Sequence, residues 1–440
     1  MKIPIVTSDP QIFTQIAHSV AELRRTVTVD RALGRKNYQA IHIPNPQAAI
    51  EYIIYEMPQL IVLSFSDDQL DGFDILERIV ADPWLNNAGI IALAGDSSVA
   101  ERIGELQNTN IVFTMSLRDI PRQMIKVLDV IHHNEQILFQ RAIQRDFISR
   151  ISGEYVLDLD LLIIPLYANL IANYLYNIGF VDGEKKYHVS LILTEMLANA
   201  IEHGNCGVTY EEKSRALENG GSMQAIIEQR AKDPHIGKRK VYFSYEIEEE
   251  HSRYVIRDEG QGFAWQKYVD PDREIDHMAP HGRGILMTVL QAHALTYNDK
   301  GNEATIAFRH NVNTSNTVPG AFRDSEIVNI APEQIVFTEG EESDFVYYVA
   351  DGEYRVVVGE KIVAKVTPAD ILIGEMSFLL QDTRSATVIA DTPGKLIRIS
   401  RENFVNGIKR HPYYGLFLAK LLAQRLDRAS RRFEQLSLKE

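Results

Sequence analysis

Three polar side chains recur every four residues within the run LILTEMLANAIEHG: Glu195, Asn199 and His203. The apolar residues between them have helical periodicity, so the three side chains are predicted to share one face of a helix. A rise of about 1.5 Å per residue separates Glu195 from Asn199 by about 6 Å along that helix. At this spacing an amide oxygen can bind Mg²⁺, which prefers oxygen ligands and substrate phosphates, while a carboxylate lies beside the terminal phosphate and its attacking hydroxyl.

A second group lies at the end of an apolar strand in the run VIRDEGQGF. Asp258 ends this strand, and Gly260 and Gly262 follow it. A carboxylate at a strand end can accept a hydrogen bond from an adenine amino group. Glycines beside it allow a ligand to approach the backbone closely. The run therefore predicts the base-binding part of a nucleotide site.

A third group precedes a helical pattern in the run HGRGILM. Gly282, Arg283 and Gly284 lead into a helix that continues through LMTVLQAHA. Glycine-rich backbone that leads into a helix N-terminus presents N–H groups to an anion. This run predicts the phosphate-binding part of the same site.

Together the three runs resemble the N, G1 and G2 boxes of the GHKL ATPase superfamily, which includes histidine kinases, gyrase B and the anti-sigma-factor serine kinases. The chain is most similar to the anti-sigma kinase branch, with its E-x-x-x-N-x-x-x-H signature and compact glycine box. The resemblance implies that Asn199 holds Mg²⁺, that Glu195 is the general base on a serine hydroxyl and that Asp258 reads adenine. It also implies a mobile lid over residues 264–281. The remaining ATP-binding residues that it implies are His203, Gly260, Gly262, Gly282, Arg283 and Gly284.

Two features depart from that family's pattern. A polar, charge-rich insert over residues 208–240 is longer than a minimal anti-sigma kinase needs. His132 and His133 lie in VIHHNEQ, without the H-E-[LI]-R-T-P surroundings of a histidine kinase. A histidine autokinase is therefore disfavoured.

A separate cluster of candidate binding residues lies in the run GEMSFLLQDTRSATV. Its members are Gly374, Glu375, Ser377, Arg384, Ser385 and Ala386. A short helical turn after a glycine exposes backbone N–H groups to an anion, and Arg384 supplies a fork-shaped cation for phosphate oxygens. Glu375 can accept a hydrogen bond from a ribose hydroxyl.

This run resembles the phosphate-binding cassette of cyclic-nucleotide-binding domains, G-E-x-[AS] followed by R-[STA]-A, and FTEGEESDFVYYVADGEYRVV resembles that family's opening strands. The resemblance implies that cAMP or cGMP binds here, since Ser385 is compatible with either. The alternative is a structural ion pair of Arg384 and Glu375 in an unliganded jelly roll. Transcription factors of this family carry a helix-turn-helix after the long C-terminal helix. The residues up to Glu440 leave no room for one, so we expect no DNA binding.

The N-terminal region alternates short apolar strands with helical segments, which predicts a parallel α/β sheet. Its run PQLIVLSFSDDQLDGFDIL resembles a response-regulator receiver and keeps the D-G-F turn at residues 71–73. Ser64, however, takes the place of the phosphate-accepting aspartate. Asp67 and Asp68 lie nearby and are expected to be solvated loop acids. The region is therefore interpreted as a pseudo-receiver used for protein contacts.

These observations predict a multidomain chain with one function for each domain. The predicted parts are an α/β receiver-like (flavodoxin-like) pseudo-receiver (1–130), a helical connector (131–152), an α+β GHKL-type ATP-binding sandwich (153–312), a linker (313–324), and a β jelly-roll cyclic-nucleotide-binding domain with a C-terminal helix (325–440).

The bulk composition limits the classes of partner and location. The 440 residues carry a formal net charge of −14, which gives no general attraction to nucleic acid or anionic membrane. A single cysteine, Cys206, excludes an intramolecular disulfide framework and favours a reducing, cytoplasmic location. The most apolar run, residues 159–180, is interrupted by polar residues and a proline, so it is interpreted as a core helix rather than a membrane span. The long helical patterns near residues 119–150 and 413–436 are compatible with a homodimer.

Two functional hypotheses follow from the combination of domains. In the first, the chain uses Mg–ATP to phosphorylate a serine or threonine of a partner, such as an anti-sigma antagonist, under control of a cyclic nucleotide. In the second, ATP and the cyclic nucleotide only change conformation and partner affinity. Glu195 alone argues for the first hypothesis.

Overall fold

The computed structural model describes most of the chain and groups it into two compact units. The described residues are 1–27, 38–82, 85, 88–106, 109–134, 150–218, 220–266, 283–310, 318–322, 324–412, 414–416, 418–419, 422–423 and 426. One unit combines Met1–Ile143 with Asn313–Glu440, and the other is Gln144–Val312. The N-terminal and C-terminal regions, predicted as separate domains, therefore belong to one unit.

An α/β sheet forms the N-terminal part of the first unit. Its elements are β1 (Lys2–Val6), α1 (Pro10–Val27), β2 (Gln39–Ile43), α2 (Pro46–Glu56), β3 (Leu60–Ser64), α3 (Gly72–Ala81), β4 (Gly89–Ala94), α4 (Ser97–Gly104), β5 (Ile111–Ser116) and α5 (Ile120–His133). The strands pair in parallel in the order β2-β1-β3-β4-β5, a common order of doubly wound sheets. β3 and β4 are buried along their whole length, as expected for strands covered on both faces.

Asp67 lies in the loop after β3 and was predicted to be a solvated acid, but its carboxylate is hydrogen-bonded to the loop after β1. Asp67 accepts hydrogen bonds from Thr7 Oγ1 at 3.1 Å, from Ser8 N at 2.6 Å and from Ser8 Oγ at 2.6 Å. The prediction is therefore wrong for Asp67, whereas Asp68 is exposed as expected. Ser64, the residue at the acceptor position of the receiver resemblance, is fully buried.

Asp67→Asn is expected to lower the free energy of unfolding by about 1–3 kcal/mol, because it removes a charged acceptor shared by several donors. Partial burial raises the pKa of Asp67, but hydrogen bonds from Ser8, Gln69 and Thr7 outweigh it and hold that pKa below its ordinary value. A lowered carboxyl pKa stabilises the fold above the ordinary value, and this contribution is lost as pH falls through the folded-state pKa. The effect should therefore be full at neutral pH and disappear in acid. Denaturant titration of the full chain measures it, with exposed Asp68→Asn as the control; equal midpoints for the two variants at neutral pH would contradict it.

Helices and an antiparallel sheet form the second unit. Its elements are β6 (Arg150–Leu157), α6 (Ile164–Asn177), α7 (Gly183–Asn199), α8 (Tyr210–Glu218), α9 (Met223–Arg230), α10 (Pro234–Gly237), β7 (Val241–Glu248), β8 (His251–Arg257), α11 (Arg283–Gln291), β9 (Ala294–Tyr297) and β10 (Glu303–Arg309). The strands pair in the order β6-β7-β8-β10-β9, and every neighbouring pair is antiparallel. This is the α+β arrangement that the sequence predicted for the region.

The β6 strand differs from the prediction, which placed a helical connector over residues 131–152. β6 begins at Arg150, inside that connector, and it crosses the predicted domain start at residue 153. The helix α5, which was predicted to continue, ends at His133 with Asn134 as its C-cap. The connector residues 135–149 lie outside the described residues.

The apolar run over residues 159–180 forms the core helix that the sequence predicted. A 3₁₀ turn at Leu161–Ile163 leads into α6, most of whose residues are buried. None of the helices in the described part of the chain is both long enough and apolar enough to cross a membrane.

Two four-stranded sheets form the C-terminal part of the first unit. Its elements are β11 (Glu326–Ile330), β12 (Ile335–Phe337), β13 (Phe345–Asp351), β14 (Tyr354–Val358), β15 (Lys361–Val366), β16 (Leu372–Ile373), α12 (Glu375–Leu380), β17 (Thr387–Ala390), β18 (Gly394–Ser400) and α13 (Arg401–Arg410). The sheet orders are β11-β18-β13-β16 and β12-β17-β14-β15. The predicted jelly roll is confirmed, and α13 ends at Arg410, just before Pro412.

A hydrogen bond and an apolar cluster join the α/β sheet to the jelly roll inside the first unit. Tyr414 Oη donates to Asp82 Oδ2 at 2.8 Å, and Leu85 packs into the same buried cluster as Phe322 and Tyr414. Phe322 lies in the predicted linker over residues 313–324 and is only 1% exposed. The described end of that linker is therefore part of a hydrophobic core.

Candidate functional site

A cavity of about 600 Å³ in the second unit is lined by four of the residues predicted to bind ATP, namely Asn199, His203, Asp258 and Gly262. Asn199 and His203 both line it. α7 ends at Asn199 and continues as a π-helix over Ala200–Asn205, so His203 does not follow the α-helical spacing that the sequence predicted. Glu195, one turn before Asn199, is half-buried and is not among the residues that line the cavity in the described part of the chain. The structure therefore brings two of the three side chains to the cavity.

Asp258 lies at the end of β8 and contributes a buried carboxylate to the cavity wall. Its Oδ1 accepts a hydrogen bond from Gly260 N at 2.8 Å. Burial raises the pKa of Asp258 to about 6, although the Gly260 N–H and the charges of Lys300 and Arg239 act in the opposite direction. A buried carboxylate with little protein pairing is suited to accept hydrogen bonds from a ligand.

Gly204 is a residue of this site that the sequence analysis missed. A Cβ at Gly204 would lie 2.4 Å from the Asp258 carboxyl carbon, and a Cβ at Gly260 would lie 2.0 Å from Gly204 O. Both positions thus exclude larger side chains, because the π-helix and the Asp258 loop touch directly. The sequence signal that could have identified Gly204 is its position directly after His203.

Asn205 is a second missed residue, and it holds the Asp258 loop in place. Its Oδ1 accepts from Glu259 N at 2.8 Å, and its Nδ2 donates to Lys240 O at 2.9 Å. The fully buried amide therefore joins the π-helix, the end of the insert and the residue after Asp258.

The insert over residues 208–240 forms one wall of the cavity. The insert residues that line it are Val208, Thr209, Arg230, Ile236 and Arg239. Arg230 Nη2 donates to Glu212 Oε1 at 2.7 Å, and Lys213 Nζ donates to the buried Glu202 at 2.6 Å. The first ion pair is internal to the insert, and the second holds the insert against the π-helix, so the departure from the family pattern is part of the site.

Aromatic side chains also line the cavity. Gly262 directly precedes Phe263 and has a φ of +77°, a backbone conformation that favours glycine. Phe263 and Tyr297 both line the cavity, with ring centroids 5.3 Å apart. Of the predicted phosphate run, Arg283 and Gly284 begin α11, while Gly282 and the lid residues 267–281 lie outside the described residues.

The cassette of the jelly roll brings Gly374 and Arg384 into direct contact. Gly374 has a φ of +76°, and a Cβ there would lie 2.3 Å from Arg384 Nη1. Arg384 Nη1 donates to Gly374 O at 2.9 Å and to Ser377 Oγ at 3.2 Å, while Nη2 donates to Phe345 O. Burial lowers the pKa of this guanidinium. The cation is therefore held at the glycine turn that precedes α12.

The remaining predicted cassette residues surround this contact. Glu375 and Ser377 are buried in α12, Ala386 is buried before β17, and Ser385 is exposed. Ser343 Oγ also donates to Ser377 Oγ at 3.1 Å. The structure thus collects the cassette around the loop between β16 and β17.

Among the residues that the structure describes, no group of three or more histidine, cysteine, aspartate or glutamate side chains is placed to hold a metal ion. Mg²⁺ at a site with one or two protein ligands commonly keeps substrate phosphates and water as its other ligands.

Two family models match regions of this chain. The model described as "Cyclic nucleotide-binding domain" matches residues 327–411, and the one described as "Histidine kinase-like ATPase domain" matches residues 168–308. The chain thus contains a cyclic nucleotide-binding domain and a histidine kinase-like ATPase domain. These matches confirm, at the level of the domain family, three predictions from the sequence: ATP binding, cyclic-nucleotide binding and kinase-like signalling.

Individual relatives match part of this chain. The chain is 34% identical to the cyclic AMP receptor protein of Thermus thermophilus over 110 residues, which are 24% of this chain and 50% of that protein. It is 30% identical to the lysophospholipase nte1 of Aspergillus oryzae over 106 residues, which are 23% of this chain and 7% of that protein. A solved structure of the Thermus thermophilus catabolite activator protein is 30% identical and covers 27% of this chain and 57% of its own, with a TM-score of 0.25. The chain thus spans half or less of the curated relatives it matches.

Proposed function

We propose that this protein is a kinase of the anti-sigma-factor type, which transfers phosphate from ATP to a serine or threonine of a partner protein under control of a cyclic nucleotide. The observation that carries the proposal is the cavity that contains both Asn199 and the buried Asp258 carboxylate. These residues come from different elements and meet with the donor and acceptor types that a magnesium–nucleotide complex needs.

Each residue has a separate role in the proposed reaction. Asn199 would hold Mg²⁺ through its amide oxygen, and Asp258 would accept hydrogen bonds from the adenine amino group. Bound Mg–ATP supplies the phosphoryl group. Glu195 would take the proton of the attacking serine hydroxyl, while the new oxygen–phosphorus bond forms and ADP leaves with the electrons of the broken bond.

The decisive measurement is transfer of radiolabel from γ-labelled ATP to candidate anti-sigma antagonist proteins. We expect Glu195→Gln to reduce transfer by about 10²–10⁴-fold, the usual contribution of a general base. ATP affinity should stay within about threefold of wild type, since Glu195 does not line the cavity. The matched control is Glu184→Gln, an exposed glutamate in the first turn of the same helix. Absence of transfer by wild type, or equal transfer by wild type and E195Q, rejects the kinase.

The second candidate function is a non-catalytic switch, favoured by the position of Glu195 away from the described lining of the cavity. In that case ATP and the cyclic nucleotide change only partner affinity. Coupling between two binding sites is reciprocal, so each nucleotide must change the affinity of the other by the same factor. Calorimetric titrations of ATP, with and without cAMP or cGMP and in the absence of any transfer, identify this behaviour.

The N-terminal sheet is proposed to be a receiver-like domain that contacts partners without being phosphorylated. Ser64 is fully buried, and donors from the loop after β1 bind Asp67. Neither side chain is therefore available as a phosphate acceptor. The proposed partner is an anti-sigma antagonist or a similar signalling protein. We also propose that the chain forms a homodimer.

A further inference from the structure

Arg239 presents an uncommitted cation to the nucleotide cavity. It lines the cavity from the end of the insert, and its Nη1 donates to Asn205 O at 2.5 Å. A guanidinium carries five N–H donors. Within the described residues, Arg239 has no ion-pair partner, so most of these donors are left for another acceptor. Arg230, which lines the same cavity, is instead paired with Glu212 at 2.7 Å.

The guanidinium of Arg239 lies beside the part of the site that holds Asp258. Its acceptor, Asn205, follows Gly204, whose backbone packs against the Asp258 carboxylate. The Asn205 side chain also accepts from Glu259 N, the next residue after Asp258. Asn205 thus holds both the strong donor and the loop that carries the strong acceptor.

This pair matches two neighbouring groups of adenine. The exocyclic amino group at C6 is a donor, and the adjacent ring nitrogen N1 is an acceptor, on the Watson–Crick edge by which flipped bases are read in protein pockets. N1 lies across the purine from N9, which carries the ribose and the phosphates. The proposed ATP site places the phosphates beside Asn199, so the Watson–Crick edge of the base faces away from Asn199.

We propose that Arg239 is a specificity-determining residue that donates a hydrogen bond to N1 of adenine, while Asp258 accepts one from the amino group. The inference rests on the proposed ATP site and adds to it a base contact supplied by the insert. It assigns the insert a function, because the insert places Arg239 in the cavity wall.

Isothermal titration of the full chain with ATP and two analogues tests the contact. In 1-deaza-ATP a C–H group replaces N1, and in 7-deaza-ATP a C–H group replaces N7. Wild type is expected to bind 1-deaza-ATP about tenfold or more weakly than ATP, the effect of losing a hydrogen bond to a charged group, and 7-deaza-ATP within about threefold of ATP. Arg239→Met is expected to bind ATP about tenfold more weakly and to bind ATP and 1-deaza-ATP equally. Lys238→Met, at the exposed neighbouring position, should behave as wild type.

Several results overturn the assignment. Equal binding of ATP and 1-deaza-ATP by wild type does so, and so does an unchanged preference for ATP in R239M. A loss of affinity for 7-deaza-ATP in place of 1-deaza-ATP would mean that the other edge of adenine is read. If R239M fails to fold, the wild-type analogue series decides alone. Failure of wild type to bind ATP at all would instead reject the underlying ATP site.

Discussion

Asp258→Asn is expected to weaken ATP binding by about tenfold to a hundredfold, since a hydrogen bond to a charged group contributes about 1.5–3 kcal/mol. The carboxylate is buried in the cavity wall and accepts from Gly260 N, so its remaining acceptor capacity faces the ligand. Asparagine keeps the shape but loses the charge. Isothermal titration of the full chain measures the change.

The pH dependence of the same interaction identifies the carboxylate. Burial raises the pKa of Asp258 to about 6. Below that pH the protonated group no longer offers a charged acceptor, so wild-type affinity should fall by up to about tenfold per pH unit, and the D258N variant should lack this dependence. In the apoprotein the raised pKa has the opposite consequence for folding. The contribution of this group to stability is fully present below the ordinary carboxyl pKa and is lost as pH rises through the folded-state value of about 6.

Asp299→Asn is the matched control for charge, because Asp299 is an exposed acid beside Lys300. It should bind ATP with wild-type affinity and keep the wild-type pH dependence. Wild-type affinity in D258N, or the same pH dependence in D258N and wild type, would show that Asp258 does not contact the base.

The sequence was sufficient to find the two nucleotide-binding regions because ligand chemistry restricts the residue types there. The amide predicted to bind magnesium, the carboxylate predicted to accept from a base and the arginine predicted to bind phosphate each belong to a short local motif. Asn199 and Asp258 accordingly meet in one cavity, and Gly374 and Arg384 meet in the cassette. Local spacing predicted each motif separately, whereas the family resemblance predicted that the motifs of Asn199 and Asp258 belong to one site.

The residues that hold those motifs in position could not be found in the same way. Asn205 bonds to residues 35 and 54 positions away, and Arg239 reaches it across 34 positions. No local pattern encodes such contacts, which exist only after the insert has packed on the π-helix. The π-helix itself has the same apolar spacing as the preceding α-helix, so its change of register at Ala200 was not predictable from periodicity.

No pattern in the sequence indicated that the N-terminal and C-terminal regions belong to one compact unit. Tyr414 and Asp82, which join the jelly roll to the α/β sheet, are 332 positions apart. The polar composition of residues 313–324 predicted a linker, yet Phe322 is buried in the core that contains this contact. The few apolar residues of this segment, Val318, Ala321 and Phe322, form no repeating pattern, and their burial depends on a surface formed by other elements.

Arg384→Met is expected to weaken binding of cAMP or cGMP by about a hundredfold or more, because it removes a fork of charge-assisted donors from the phosphate site. The structure shows this guanidinium already oriented by the carbonyl oxygens of Gly374 and Phe345 and by Ser377 Oγ. Little rotamer freedom is therefore lost on binding, which increases the effect of the deletion. Calorimetric titration of the full chain with each cyclic nucleotide measures it.

Arg384→Met is also expected to destabilise the jelly roll, and this effect must be measured separately from nucleotide binding. Removal of the guanidinium takes one hydrogen bond from each of Gly374 O, Ser377 Oγ and Phe345 O, at a cost of about 0.5–1.5 kcal/mol for each in the stability of the jelly roll. Arg384→Lys separates the two effects, because lysine keeps the charge but not the planar fork. Arg398→Met is the control, since Arg398 stacks on Phe345 at 3.6 Å in the same jelly roll but outside the cassette. If R384M is folded and binds cyclic nucleotide as wild type does, or if wild type binds neither cAMP nor cGMP, Arg384 has only the structural role that its carbonyl contacts already provide.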